Sequence, residues 1–153
     1  MTRQDFIASI KDGVIAACSG THLFPSVMIA QGCLESADGA SELSAKYKNY
    51  FGMKTGSTWT GPVANMPTTE DVGGKVIHIN QPFRVYPDIE SCFKDHVCLL
   101  QRIPVYTQVG IFRSQTPEEQ CTHLQGTYAT DIHYAAKLIS IINENNLKQY
   151  DSQ

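Results

Sequence analysis

Residues Phe24 to Gly39 read FPSVMIAQGCLESADG. Pro25 suits the first position of a helix, where its missing N–H lacks a partner in any case, and Gly39 suits the stop. With Ile29, Ala30, Cys33 and Leu34 on an apolar face between them, the stretch predicts a helix from about Pro25 to Ala37. Its last turn carries one carboxylate, Glu35. Such a group either sits on the wet side of an amphipathic helix or is held against apolar neighbours, which disfavour its charge and raise its pKa. Periodicity alone favours the wet side.

Upstream, Phe6, Ile7, Ile10, Val14, Ile15 and Ala17 recur at helical spacing from Asp5 onward and predict an amphipathic helix ending near Gly20. Downstream, SELSAKYKNYFG from Ser41 to Gly52 predicts a short third helix closed by a turn over Asn49 to Gly52. The period then changes. Between Lys54 and Tyr86, strand-forming residues (Thr58, Trp59, Thr60, Val63, then Val76, Ile77, Ile79, Phe83, Val85) flank the hairpin signal Gly73-Gly74. Helices resume after Pro87, with Ile89, Phe93, Val97 and Leu100 on one face. Thr116, Pro117 and Glu119 then read as an N-cap, a first helical position and a capping box. A last helix is expected from a Thr130/Asp131 cap, with Ile132, Ala135, Leu138, Ile139 and Ile142 recurring at helical spacing. The expected architecture is α+β, a single domain over 1–153 that is mainly helical, with a β-lobe over about 54–86 and a cleft between the lobes.

Composition excludes several classes of function. With 153 residues, 42% hydrophobic and 18% charged, the chain is a globular domain long enough to bury a core without disulfides or metal. Its net charge is −3 and its 12 Lys and Arg are scattered, which argues against nucleic-acid binding. No apolar run approaches the ~18 residues of a membrane span, and Asp5 and Lys11 interrupt any signal-like segment. Five cysteines (Cys18, Cys33, Cys92, Cys98, Cys121), odd in number and without C-x-x-C spacing, predict buried free thiols. Cys92 and His96 share a helical face at i and i+4, yet no further ligand set follows, and no cysteine lies in a nucleophile motif. No metal or organic cofactor is expected.

A carboxylate at a helix end and others in a β-lobe, across a cleft, suit glycoside cleavage. One carboxylic acid protonates the leaving oxygen, and a second carboxylate activates water, traps the sugar or stabilises the cationic transition state. The acid must keep its proton near neutral pH, and the apolar run before Glu35 offers the wall that does this.

Three segments, PSVMIAQGCLESADGASELSAKYKNYFGMK, TTEDVGGKVIHINQPFRVYPDIESCFKDH and YATDIHYAAKL, resemble in this order the glucosaminidase family of peptidoglycan hydrolases, glycoside hydrolase family 73. The resemblance implies a lysozyme-like α+β fold and an endo-β-N-acetylglucosaminidase that cuts the β-1,4 bond between N-acetylglucosamine and N-acetylmuramic acid. It makes Glu35 the general acid, with Gln31 at the family's preceding glutamine, and makes Glu70 of PTTED the second carboxylate, with Asp71 as fallback. Tyr128, Asp131 and Tyr134 of YATDIHY fall along the cleft, and Asn49, Phe51 and Gly52 of NYFGMK line or shape the glycan subsites. Core packing is an equal reading of Phe51, and Trp59 is either a sugar platform or a half-buried strand residue. Two departures stand out. Ala37 and Asp38 replace the family's glycine and aromatic, so that Asp38 either raises the Glu35 pKa by like-charge repulsion or merely ends the helix; Ile132 replaces a proline.

The implied partner is the glycan strand of bacterial peptidoglycan, acted on by a monomer, with neither nucleic acid nor membrane involved. The rivals are a lytic transglycosylase of the same fold and a non-catalytic peptidoglycan-binding or assembly module. The implied substrate lies outside the cytoplasmic membrane, and no export signal is visible. The expected settings are therefore a phage-type lysin released by a pore, a module of a secretion or tail apparatus, or a domain of a longer protein.

Overall fold

The computed structural model describes residues 1–152. Their helices and strands run α1 (Arg3–Cys18), α2 (Pro25–Glu35), α3 (Glu42–Tyr47), β1 (Val63–Val72), β2 (Lys75–Arg84), α4 (Ile89–Arg102), α5 (Pro104–Val109), α6 (Pro117–Leu124) and α7 (Tyr134–Glu144). Short 3-10 turns follow α5 (Ile111–Arg113) and α7 (Leu147–Tyr150). The α+β expectation, helices interrupted by a β-hairpin, holds.

The central element is α2, which buries nine of its eleven residues, Pro25 through Cys33. It packs against α1, α6, α7 and the final 3-10 turn. Gly32 lets α4 approach closely: a Cβ there meets Phe93 Cζ at 2.9 Å, so glycine's helix penalty is accepted for the contact. The N-cap residue Phe24 has no side-chain oxygen to offer, and the cap is supplied from far along the chain. Asp151 accepts from the Ser26 backbone N–H at 2.8 Å and from the Ser26 hydroxyl at 2.7 Å, across 125 residues. Buried Gln120 on α6 accepts from the Phe24 N–H at 3.0 Å and fixes the chain just before the helix.

At its other end α2 stops two residues short of the predicted Ala37. Ala37 and Asp38 adopt φ of 51° and 55°, and the Ser36 hydroxyl donates to Gly32 O and accepts from Gly39 N–H. The chain turns sharply there, leaving Glu35 as the last helical residue.

Strands β1 and β2 pair antiparallel from Val63↔Arg84 to Val72↔Lys75, with Gly73 and Gly74 at φ of 61° and 81°, as a primed two-residue turn requires. Within the strands only Ala64 and Phe83, near the hairpin's base, are buried. Buried Asn49 ties that base to the helices: its amide donates to Met53 O and Arg84 O, and its carbonyl accepts from the Met53 N–H. Arg84 and Tyr86 both bond Asp95 of α4.

Several sequence expectations need correction. Thr58, Trp59 and Thr60 lie in an irregular loop between Gly56 and Gly61, not in a strand. There Trp59 packs edge-on against Tyr86, lies beneath the Arg84 guanidinium, and donates to Pro62 O. Helix α7 begins at Tyr134, because the Asp131 carboxylate accepts from the His133 N–H and holds a turn where a cap was expected. Ile132 is consequently 77% exposed and leaves the core. Glu119 reaches the Gln115 N–H, one residue beyond the Thr116 amide of a true capping box. Helix α5 has no counterpart in the sequence reading, since six residues are too few to show a period. All five cysteines are free, four buried and Cys98 exposed. Among the described residues no helix is long and apolar enough to cross a membrane.

Losing the remote cap of α2 should cost about 1 kcal/mol. Asp151→Ala is therefore expected to lower the melting temperature by roughly 2–4 °C in a calorimetric scan, and an unchanged Tm contradicts a capping role.

Candidate active site

Gln31 and Glu35 lie one turn apart on α2, so their side chains leave the same face. Tyr134, the first residue of α7, meets both: Gln31 Nε2 donates to the Tyr134 hydroxyl oxygen at 2.9 Å, and that hydroxyl donates to Glu35 Oε1 at 2.9 Å. Gln31 Oε1 faces His96 Nε2 of α4 at 2.8 Å. Because the Gln31 amide nitrogen is spent on Tyr134, its oxygen must accept from His96, and Nε2 of the imidazole carries the proton. The four groups form one directed line from the buried interior to the end of α2. Its inner members are almost wholly enclosed: Gln31 and His96 are each 0% exposed and Tyr134 is 3%.

Glu35 is exposed as a whole residue, yet its carboxylate lies against enough protein for burial to push its pKa above the usual glutamate range. The Tyr134 hydrogen bond pulls the other way by favouring the charged form, and the net displacement is upward. Like-charge repulsion from Asp38 plays no part. Asp38 is turned toward α1, where Arg3 Nε bonds it at 2.9 Å, and of its two expected roles only the helix-end one survives. Burial holds the Tyr134 and Tyr128 hydroxyls far above their ordinary values, with the nearby Glu35 charge adding to both. His96 is pushed down to about 3 by burial, so it stays neutral.

The other sequence candidates fall around this line. Phe51 stacks flat on the His96 ring, centroids 3.8 Å apart, and meets Phe93 edge-on. Tyr128 meets His96 edge-on at 5.3 Å and packs on Tyr134 and Tyr106. Asn49 bonds three backbone groups, and Gly52, at φ 64°, turns the chain between Phe51 and the hairpin base. Asp131 is engaged by the His133 N–H and by Lys137, which sets where α7 starts and thereby puts Tyr134 beside Glu35.

Glu70 lies on β1, at the third pair from the turn. Its Oε1 has Lys54 Nζ at 3.5 Å and the Thr68 hydroxyl at 3.4 Å, with no hydrogen bond to the helical line among the described residues. Lys54 bridges Phe83, which pairs Ala64, six residues before Glu70. A straight strand covers ~20 Å in six residues, so this contact takes the full length of the lysine and a curled hairpin. Asp71 accepts from the Gly74 N–H and is committed to the turn.

His96 is the site residue that sequence reasoning missed. It entered only as a companion of Cys92, and that pairing does not form: Cys92 Sγ accepts from the Tyr50 N–H while His96 Nε2 is taken by Gln31. The available signal was a polar ring within the apolar stripe of Phe93, Val97 and Leu100.

Comparison with known proteins identifies the family and the fold. The glucosaminidase family model, described as mannosyl-glycoprotein endo-beta-N-acetylglucosaminidase, matches residues 11–147. Over 154 residues the chain is 37% identical to a probable N-acetylmuramidase of Lactococcus lactis subsp. cremoris, covering 97% of this chain and 35% of that protein. Its fold is similar to the catalytic domain of the autolysin Auto from Listeria monocytogenes, with a TM-score of 0.89, 38% identity, and 97% and 87% of the two chains covered. It is also similar to a glycoside hydrolase domain of FlgJ from Salmonella typhimurium, with a TM-score of 0.79, 32% identity, and 95% and 98% covered. The chain spans about a third of the length of the first curated relatives it matches. From the family model, the sequence relatives and the shared fold together, the chain belongs to the glucosaminidase family of peptidoglycan hydrolases, glycoside hydrolase family 73.

Proposed function

We propose that this chain is an endo-β-N-acetylglucosaminidase that cuts the β-1,4 bond between N-acetylglucosamine and N-acetylmuramic acid in peptidoglycan, with Glu35 as general acid. The observation that carries the reading is a glutamate whose pKa is raised by burial while one oxygen is held by a tyrosine anchored from below. Glu35 gives its proton to the glycosidic oxygen, the bond from that oxygen to C1 breaks, and positive charge develops on the sugar ring. Glu70 takes the second role, assisting attack of water at C1 or stabilising the cation. The hairpin that carries it is anchored mainly at its base, so the carboxylate separation depends on how far the hairpin leans over the cleft. Tyr128, half-buried beside His96 and Tyr134, takes the role of an aromatic contact for a sugar or an acetamido group. The chain acts as one domain, on glycan strands, as a monomer.

A second reading concerns the bond cut, since a relative bears the name N-acetylmuramidase. Borohydride reduction of digested peptidoglycan followed by acid hydrolysis separates the two. Glucosaminitol is the expected product, whereas muramicitol assigns the other bond and 1,6-anhydro ends assign a transglycosylase.

Glu35→Gln keeps the shape and removes the transferable proton, so turbidity clearing of purified walls should fall by at least ~10²-fold while wall binding persists. Unchanged clearing leaves only the binding-module reading. The same variant should be the more stable protein at neutral pH. A carboxyl with a raised folded pKa stabilises the native state fully below its unfolded pKa and loses that contribution as pH rises through the folded value. The Tm gain of Glu35→Gln should therefore vanish at acid pH.

Activity requires protonated Glu35, so the rate falls as pH rises through its pKa. Tyr134→Phe removes the hydrogen bond that favours the charged form, and the alkaline limb of the pH–rate profile should move to higher pH. A shift to lower pH contradicts the assignment.

A further inference from the structure

The imidazole of His96 is an odd choice for the middle of a protein. Its Nδ1 is buried with no hydrogen-bond partner among the described residues, a penalty that leucine at the same place avoids. Packing alone therefore does not account for it. The ring is nevertheless held on two sides, by the flat face of Phe51 with centroids 3.8 Å apart and by a near-perpendicular contact with Tyr128 with centroids 5.3 Å apart. Both clamps come from stretches already assigned to the site, and together they fix the direction of the Nε2–H.

From the line of hydrogen bonds and this aromatic clamp, we infer that His96 is a positioning residue for Glu35. It fixes the Gln31 amide, the amide fixes the Tyr134 hydroxyl, and the hydroxyl occupies Glu35 Oε1, which leaves Oε2 to carry the proton into the cleft. Each link is directional. His96 donates to Gln31 Oε1, so Gln31 Nε2 points at the tyrosine oxygen. That oxygen, by accepting, becomes a better donor toward Glu35. Reversing the amide turns its oxygen toward Tyr134 and draws the hydroxyl proton away from the carboxylate. His96 opposes this, because the reversed amide would move the one proton of its neutral ring to Nδ1, where no acceptor is found among the described residues.

The group does this without titrating. Burial pushes His96 down to about 3, with adjacent Asp95 opposing, and Asp95 is itself bonded by Arg84 and Tyr86. Cys92, one turn before it on α4, is pushed up to about 12. Tyr128 and Tyr134, facing the line from the loop before α7 and from its first turn, lie far above neutrality. Glu35, whose pKa burial raises above the usual glutamate range, is thus the titrating member of the line.

This inference rests on Glu35 as the general acid, and its test has readouts that need no turnover. In the wild-type chain, 15N NMR of the His96 ring should show the Nε2–H tautomer with a bare Nδ1 throughout the neutral range; the opposite tautomer overturns the proposal. In His96→Leu, 13C NMR should show Glu35 titrating at higher pH than in the wild type, because the Tyr134 donor is no longer aligned. His96→Gln, which can return an N–H donor, should restore the wild-type titration. For turnover, His96→Leu should lower kcat about tenfold, a fraction of the ~10²–10⁴-fold a general acid supplies, leave KM unchanged and move the alkaline limb upward; His96→Gln should recover both. An unchanged Glu35 titration in His96→Leu, or failure of His96→Gln to rescue it, overturns the inference. An active Glu35→Gln overturns the acid role while leaving the NMR result to stand or fall separately.

Discussion

A helix packed on nearly every side must find partners for its polar groups inside the protein, and α2 is such a helix. Ser26 is met by Asp151, Gln31 by His96 and Tyr134, and Ser36 by Gly32 and Gly39. The Ser36 partners are local, but Asp151, His96 and Tyr134 come from distant parts of the chain, so enclosing α2 fixes how α4, α7 and the C-terminal turn sit around it. Glu35 is the residue at which the enclosure ends. One carboxylate oxygen is drawn into the buried line and the residue opens to solvent beyond it, so the boundary itself sets its proton affinity.

The two lobes are held by different means. The helical lobe is closed by packing of fully buried residues such as Phe93, Met28 and Leu138, whereas the hairpin is a long, largely exposed ribbon fastened at its base by Asn49, Ala64, Phe83 and the Arg84–Asp95 pair. Few buried apolar contacts support its outer half, where Val72 and Val76 are well exposed. The proposed acid therefore belongs to the closely packed lobe and the proposed second carboxylate to the more loosely held one.

Much of this organisation was legible in the sequence, and the gaps have physical causes. The apolar run of α2, the Gly73-Gly74 turn and the stripe of α4 are local patterns, and local patterns report local structure. Where α2 stops was misjudged because Ala37 and Asp38 take a left-handed conformation that their residue types seldom adopt. The start of α7 was misjudged because Asp131 uses its side chain for a turn in place of a cap. Residue resemblance found Gln31, Glu35 and Tyr134 without showing that they touch. The role of Asp38 was settled only by Arg3, 35 residues away, and the importance of His96 only by Gln31, 65 residues away. Long-range pairing of polar side chains leaves no periodic trace.

The cap of α2 has a consequence for how the molecule is made. Synthesis proceeds from the N-terminus, so Ser26 and Glu35 leave the ribosome long before Asp151 does. The helix that carries Glu35 is thus made well before the residue that caps it, and its first turn gains that cap only when the far end of the fold has packed against it.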